Sequence, residues 1–157
     1  MHKIISNSPT TLVVSKVRDL NKDLPGEDIQ IPNSFDSLFR KSTLNRNGLG
    51  ALMAWDRNMW FLLRGFDERI KIWGGPDTDL LKRASRMFVP ITELNVLKDN
   101  RDLNIYHQWH HNSSEKYEMI LGPVGYRKMI GNNLAVVNND TTNLRNEPDW
   151  GLSYIDS

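Results

Sequence analysis

The run Leu49-Gly50-Ala51-Leu52-Met53-Ala54-Trp55-Asp56-Arg57-Asn58-Met59-Trp60-Phe61-Leu62-Leu63-Arg64-Gly65-Phe66-Asp67-Glu68-Arg69-Ile70-Lys71-Ile72-Trp73 is dominated by aromatic and aliphatic side chains, and its reading decides the fold. Two polar interruptions divide it, Asp56-Arg57-Asn58 and Gly65-Phe66-Asp67-Glu68, both of residue types that suit hairpin turns. The division predicts three antiparallel strands, near 49–55, 59–64 and 69–73. The last of them alternates polar and apolar residues from Arg69 to Trp73, as a half-exposed strand does. Trp55, Trp60, Phe61 and Trp73 are then core residues.

Working outward, Thr11-Leu12-Val13-Val14-Ser15-Lys16-Val17 reads as a further strand, with Lys3-Ile4-Ile5 a short one before the Asn7-Ser8-Pro9 turn. Residues 18–32, with Pro25-Gly26 and little periodicity, read as a surface loop. Asn33 or Ser34 caps a short helix from Phe35 to about Leu44. Beyond Gly74-Gly75-Pro76, the clearest helix runs from Thr78 to Phe88 with Asp77 as N-cap. Its expected buried face is Leu80, Leu81, Ala84, Met87 and Phe88, which turns Lys82, Arg83 and Arg86 outward. Ile91 to Leu97 reads as a helical turn capped by Thr92. Residues 104–109 and 117–121 form a hairpin around Asn112-Ser113-Ser114, with a short helix at 126–130 and a short strand at 134–137. The fold class expected is therefore α+β: a mainly antiparallel sheet, two or three short helices packed against it, and a polar C-terminal arm. Residues 1–137 would be the globular domain and 138–157 an extended tail.

A chain of 157 residues has the size of one ordinary domain. The absence of cysteine excludes a disulfide framework, a thiolate zinc site, an iron–sulfur cluster and a cysteine nucleophile. The amino terminus turns polar after Ile4-Ile5, so no signal or membrane segment is read there and a cytoplasmic protein is expected. A net charge of +1 gives no overall field for nucleic acid or an anionic membrane. The tail is locally acidic, with Asp140, Glu147, Asp149 and Asp156 against Arg145, and carries Trp150, Leu152, Tyr154 and Ile155 without a repeating period. Such a segment suits docking, on this domain or on a partner.

The densest chemical cluster is Tyr106-His107-Gln108-Trp109-His110-His111-Asn112, which holds three of the four histidines. Imidazole is both a common metal ligand and a general base near neutral pH. On a strand His110 and His111 face opposite sides, so they do not chelate one ion together; a histidine-rich hairpin end is the plain alternative. Trp109-His110-His111, followed by Tyr117-Glu118-Met119-Ile120-Leu121-Gly122-Pro123 and a helix, resembles the WHH branch of the HNH nucleases over about residues 106–133. The resemblance implies a divalent metal ion held by His110, with His111 activating the attacking water. The helix positions that carry two further histidines in that family are Arg127 and Asn132 here. An asparagine oxygen suits a hard ion, so Asn132 is the implied second ligand, whereas arginine only donates.

Lys82, Arg83 and Arg86 have two readings, a phosphate-contacting patch or an ordinary solvated helix face. No Walker, Rossmann or nucleophile-elbow pattern is present. Two functions from different classes follow. One is a non-enzymatic protein-binding factor without cofactor, contacting its partner through Trp150, Leu152, Tyr154 and Ile155. The asparagine-rich composition is compatible with a viral or phage assembly or host-directed protein whose partner is a host or virion component. The other is a metal-dependent nuclease centred on His110 and His111.

Overall fold

The computed structural model describes residues 2–15, 17–21, 35–43, 52–94, 105–107, 113–143, 146–147 and 150. It is α+β, and the chain forms two compact units. One comprises Met1–Ala54 with Ile91–His111, the other Trp55–Pro90 with Asn112–Ser157. The first contains helix α1 (His2–Asn7), strands β1 (Leu12–Ser15) and β2 (Val17–Leu20), helix α2 (Phe35–Arg40), and strands β3 (Ser42–Thr43), β4 (Leu52–Ala54), β5 (Ile91–Glu93) and β6 (Ile105–His107). The second contains helices α3 (Arg57–Leu62), α4 (Pro76–Arg86) and α5 (Ser113–Asn139).

Leu12 to Ser15 are all buried, and β1 is the central strand of its sheet, with a neighbour on each edge. It pairs antiparallel with β4 and parallel with β5. β2 repeats the arrangement, antiparallel to β3 and parallel to β6. Both three-stranded sheets are thus mixed, which corrects the mainly antiparallel expectation. The two sheets do not share one register. From Ser15 to Asp19 the central chain advances four residues while the partners Leu52 and Thr43 lie nine apart. On the parallel side, Val14 and Val17 are three residues apart while their partners Glu93 and Ile105 are twelve apart.

Several expected elements change type, each for a local reason. Asp56 is an N-cap rather than a hairpin residue: its side chain accepts from the Asn58 N–H at 2.8 Å and starts α3. The apolar run Met59 to Leu63 has no alternation, and Met59 and Leu63 meet the core at helical spacing. Arg69 to Trp73 alternates but lies in no sheet among the described residues, and Ile72 has φ 62°. Residues 3–5 lie in α1. Residues 91–93, with adjacent β-branched Ile91 and Thr92, form β5 instead of a helical turn. Residues 117–121 and 134–137, expected as strands, both belong to α5, in which Gly122 (φ 69°, ψ 160°) and Pro123 impose a break. Residues 18–20, expected as the start of a surface loop, belong to β2; the Asn33/Ser34 cap, residues 22–32 and residues 108–112 lie outside the described residues.

The 78–88 helix is present as α4, with Gly75 as N-cap and Pro76 at its first position in place of the Asp77 cap. Its buried face is rotated from the expected one. Asp79, Leu80, Arg83 and Ala84 are buried, Leu81 and Met87 are half-buried, and Phe88 is 92% exposed. The amphipathic stripe was obscured because two of its four inward residues are charged. Leu80→Ala is accordingly expected to lower stability by about 2–5 kcal/mol, and Leu81→Ala by less, measured as shifts in the urea midpoint.

Candidate functional site

Within the second unit the basic residues of α4 are committed to intramolecular contacts. Arg83 corrects the expected outward orientation: it is fully buried, its Nε donates to Asp79 Oδ2 at 2.8 Å, and its other two nitrogens donate to the Leu63 and Gly65 carbonyls at 2.6 and 2.7 Å. Lys82 Nζ donates to Val137 O and Asn138 Oδ1 at the carboxyl end of α5, where a cation complements the helix dipole. Arg86 donates to Asn143 Oδ1 and Thr142 O. The three residues read as a phosphate patch therefore tie α4 to the residues that precede and follow it.

Trp150 packs on its own unit. Its ring meets Trp60 and Phe61, both with centroids 6.1 Å apart. A Cβ on Gly65, which has φ +63°, would approach the Trp150 ring to 2.4 Å. Glycine is required there on both counts. Nearby, the buried Asn146 side chain donates to the Arg64 and Phe66 carbonyls and accepts from the Glu68 N–H at 3.0 Å. Leu152, Tyr154 and Ile155 lie outside the described residues, as do His110 and His111. His107 is on β6 opposite Asp19 of β2, its Nδ1 3.1 Å from Asp19 Oδ1.

The remaining segment, 69–73, is held by Asn133 of α5. The carboxamide accepts from the Lys71 N–H at 3.2 Å and donates to the Lys71 and Trp73 carbonyls at 2.9 and 2.8 Å. It serves Lys71 as the backbone of an adjacent strand would, while the Trp73 N–H donates back to the Lys71 carbonyl at 2.7 Å, so the alternating segment is held in turns by a side chain and not in a sheet. Arg69 is clamped between Asp67, which is buried, and Asp140. Hydrogen bonding to Asp67, then to Asp140, raises the guanidinium's already high pKa, so Arg69 remains charged at neutral and mildly alkaline pH.

Between this segment and α5 lies a cavity of about 260 Å³ lined by Arg69, Lys71, Gly125, Lys128, Met129, Asn132 and Asn133. Gly125, Lys128, Met129 and Asn132 follow the i, i+3, i+4, i+7 spacing of one helix face. Asn132, the implied metal ligand, thus stands beside three cationic side chains, a setting that favours an anion over a divalent cation. Among the described residues no group of three or more metal-binding side chains occurs. Sequence reasoning missed the cavity because its cations come from a segment read as a strand and from a helix read as two strands with a short helix between them.

The most exposed large apolar side chains of α5 flank its break: Met119 is 86% exposed, Ile120 66% and Val124 73%. Trp73 and Tyr126 are in tilted contact with centroids 6.5 Å apart. No described helix is long and apolar enough to cross a membrane.

Replacing Asn133 by Ala would remove the partner of the Lys71 N–H and of the Trp73 carbonyl and leave the Lys71 carbonyl with only the Trp73 N–H. A loss of stability on the order of 2–4 kcal/mol is expected, read by denaturant titration, with increased hydrogen exchange of the Lys71 amide. Compared with known proteins, the chain matches no family model, no characterised protein and no solved structure.

Proposed function

We propose that the protein acts by binding another protein, with the apolar residues flanking the break in α5 as its principal contact. The observation that carries this reading is the exposure of Met119, Ile120 and Val124 within six residues that span the break in α5. Large apolar groups left in water at neighbouring positions are the usual mark of an interaction surface. Methionine adapts its shape to a partner at low energetic cost, and a helical segment presenting apolar anchors is a recurring recognition element. Leu152, Tyr154 and Ile155, which lie outside the described residues, are proposed as further contacts on their residue types alone, whereas Trp150 is already engaged with Trp60 and Phe61. The asparagine-rich composition supports a viral or phage origin, and with it a virion or host protein as partner.

The test is capture of binding partners by the wild-type chain and by the Met119→Asp/Ile120→Asp double variant. Both side chains are exposed, so the variant is expected to melt at the wild-type temperature while affinity falls by tenfold or more. Equal capture by both proteins would remove this surface from the proposal. Metal-dependent plasmid nicking, present in the wild type with Mg²⁺, Mn²⁺ or Zn²⁺ and lost in His111→Ala, would overturn the non-enzymatic reading itself.

A further inference from the structure

The cavity beside Asn133 has a composition that points to a ligand independent of the apolar surface. We infer that it binds a phosphoryl group, free or carried on a small molecule, between Lys71 and Arg69 on one wall and Lys128 and Asn132 on the other. The named lining contains three cations, two carboxamides and no carboxylate. Two carboxylates do touch Arg69 from outside the lining, Asp67 and Asp140, and they engage its Nε and Nη2. Asp67, Asp140 and Arg69 together carry one negative charge, which Lys71 and Lys128 exceed by one positive charge. Arg69 Nη1 has no partner among the described residues, so a guanidinium fixed by two carboxylates still has donors to offer.

The other cation is also positioned rather than free to roam. The Asn133 side chain pins the backbone of Lys71 on both its N–H and its carbonyl, and Lys71 Nζ donates to the Glu68 carbonyl while retaining further donors. Ile72, the next residue, is held at φ 62°, a conformation costly for a β-branched side chain. Strain of that kind persists where surrounding contacts over-determine the backbone, and here those contacts set the residue that supplies a cation to the cavity. Gly125 keeps the helical wall free of side chain at one end, and Asn132 offers amide donors one turn beyond Lys128. A small oxyanion that accepts several charge-assisted hydrogen bonds fits these donors, and a phosphoryl group brings both the charge and the number of acceptors.

The experiment is a ¹⁵N-NMR titration of the full chain with inorganic phosphate at constant ionic strength, with sodium chloride as the blank. Saturable shifts are expected at the amides of Lys71, Lys128, Asn132 and Asn133, including the carboxamide of Asn132. The Lys71→Gln/Lys128→Gln variant, which alters two exposed lysines, should keep the wild-type melting temperature and bind phosphate on the order of tenfold more weakly. Lys116→Gln, on the same helix but outside the cavity, should bind as the wild type does. Flotation with phosphatidylcholine vesicles, with and without phosphatidic acid, separates a lipid headgroup from a soluble phosphate as the source. Shifts that grow linearly without saturation, or an affinity unchanged by the double lysine variant, would overturn the inference.

Discussion

Arg83 is buried together with Asp79, one helical turn away, and its guanidinium reaches three separate acceptors. Burying an ion pair carries a desolvation penalty of several kcal/mol per ion, offset only when the geometry is close and the remaining donors are satisfied. Both conditions hold. The carboxylate lies at 2.8 Å, and the carbonyls of Leu63 and Gly65 take the other two nitrogens. The pair therefore does more than neutralise itself. It fixes where the chain leaves α3, and so places Gly65 beneath Trp150 and Asp67 beside Arg69. Removing the arginine would leave a buried carboxylate and two unpaired carbonyls at one point.

From that anchor the segment 63–73 is built by side chains in place of a backbone ladder. Arg83 takes its first carbonyls, Asn146 its middle and Asn133 its end. Asparagine suits the task because its carboxamide has the same donor–acceptor pair as a peptide group but is free of the main-chain path. Both asparagines are buried, so a mismatched partner would leave a desolvated polar group at substantial cost. The irregular loop is consequently specified by side chains 18 to 82 positions away in sequence.

That long reach explains what could be read in advance. β1 was legible because an apolar run bounded by turns suits a strand buried on both faces, and α4 because an acidic first turn precedes an apolar stripe. The position of α4's buried face was not, since the inward Asp79 and Arg83 are of the types that normally face water. Met59 to Leu63 and Arg69 to Trp73 both imitated strands, one by continuous apolarity and the other by alternation. Only the Asp56 cap and the distant Asn133 decide otherwise. For the candidate site, Asn132 was singled out for a metal, yet its neighbours Arg69 and Lys71 became visible only when the segment beside α5 was placed.

The order in which the two units are written along the chain has a consequence for synthesis. β1 needs β5, nearly eighty residues downstream, and β2 needs β6, nearly ninety downstream. The stretch from Trp55 to Pro90, which belongs to the other unit, lies between those partners, and in turn awaits Asn133 and Asn146. Neither unit can close while the ribosome is still working through the middle of the message. Closing such long loops carries an entropic cost and slows folding, so the nascent chain holds unpaired strand edges until β6 emerges, and uncovered apolar surface in the other unit until Asn133 and Asn146 do. A chain interleaved in this way is exposed to aggregation and to cellular chaperones chiefly during translation.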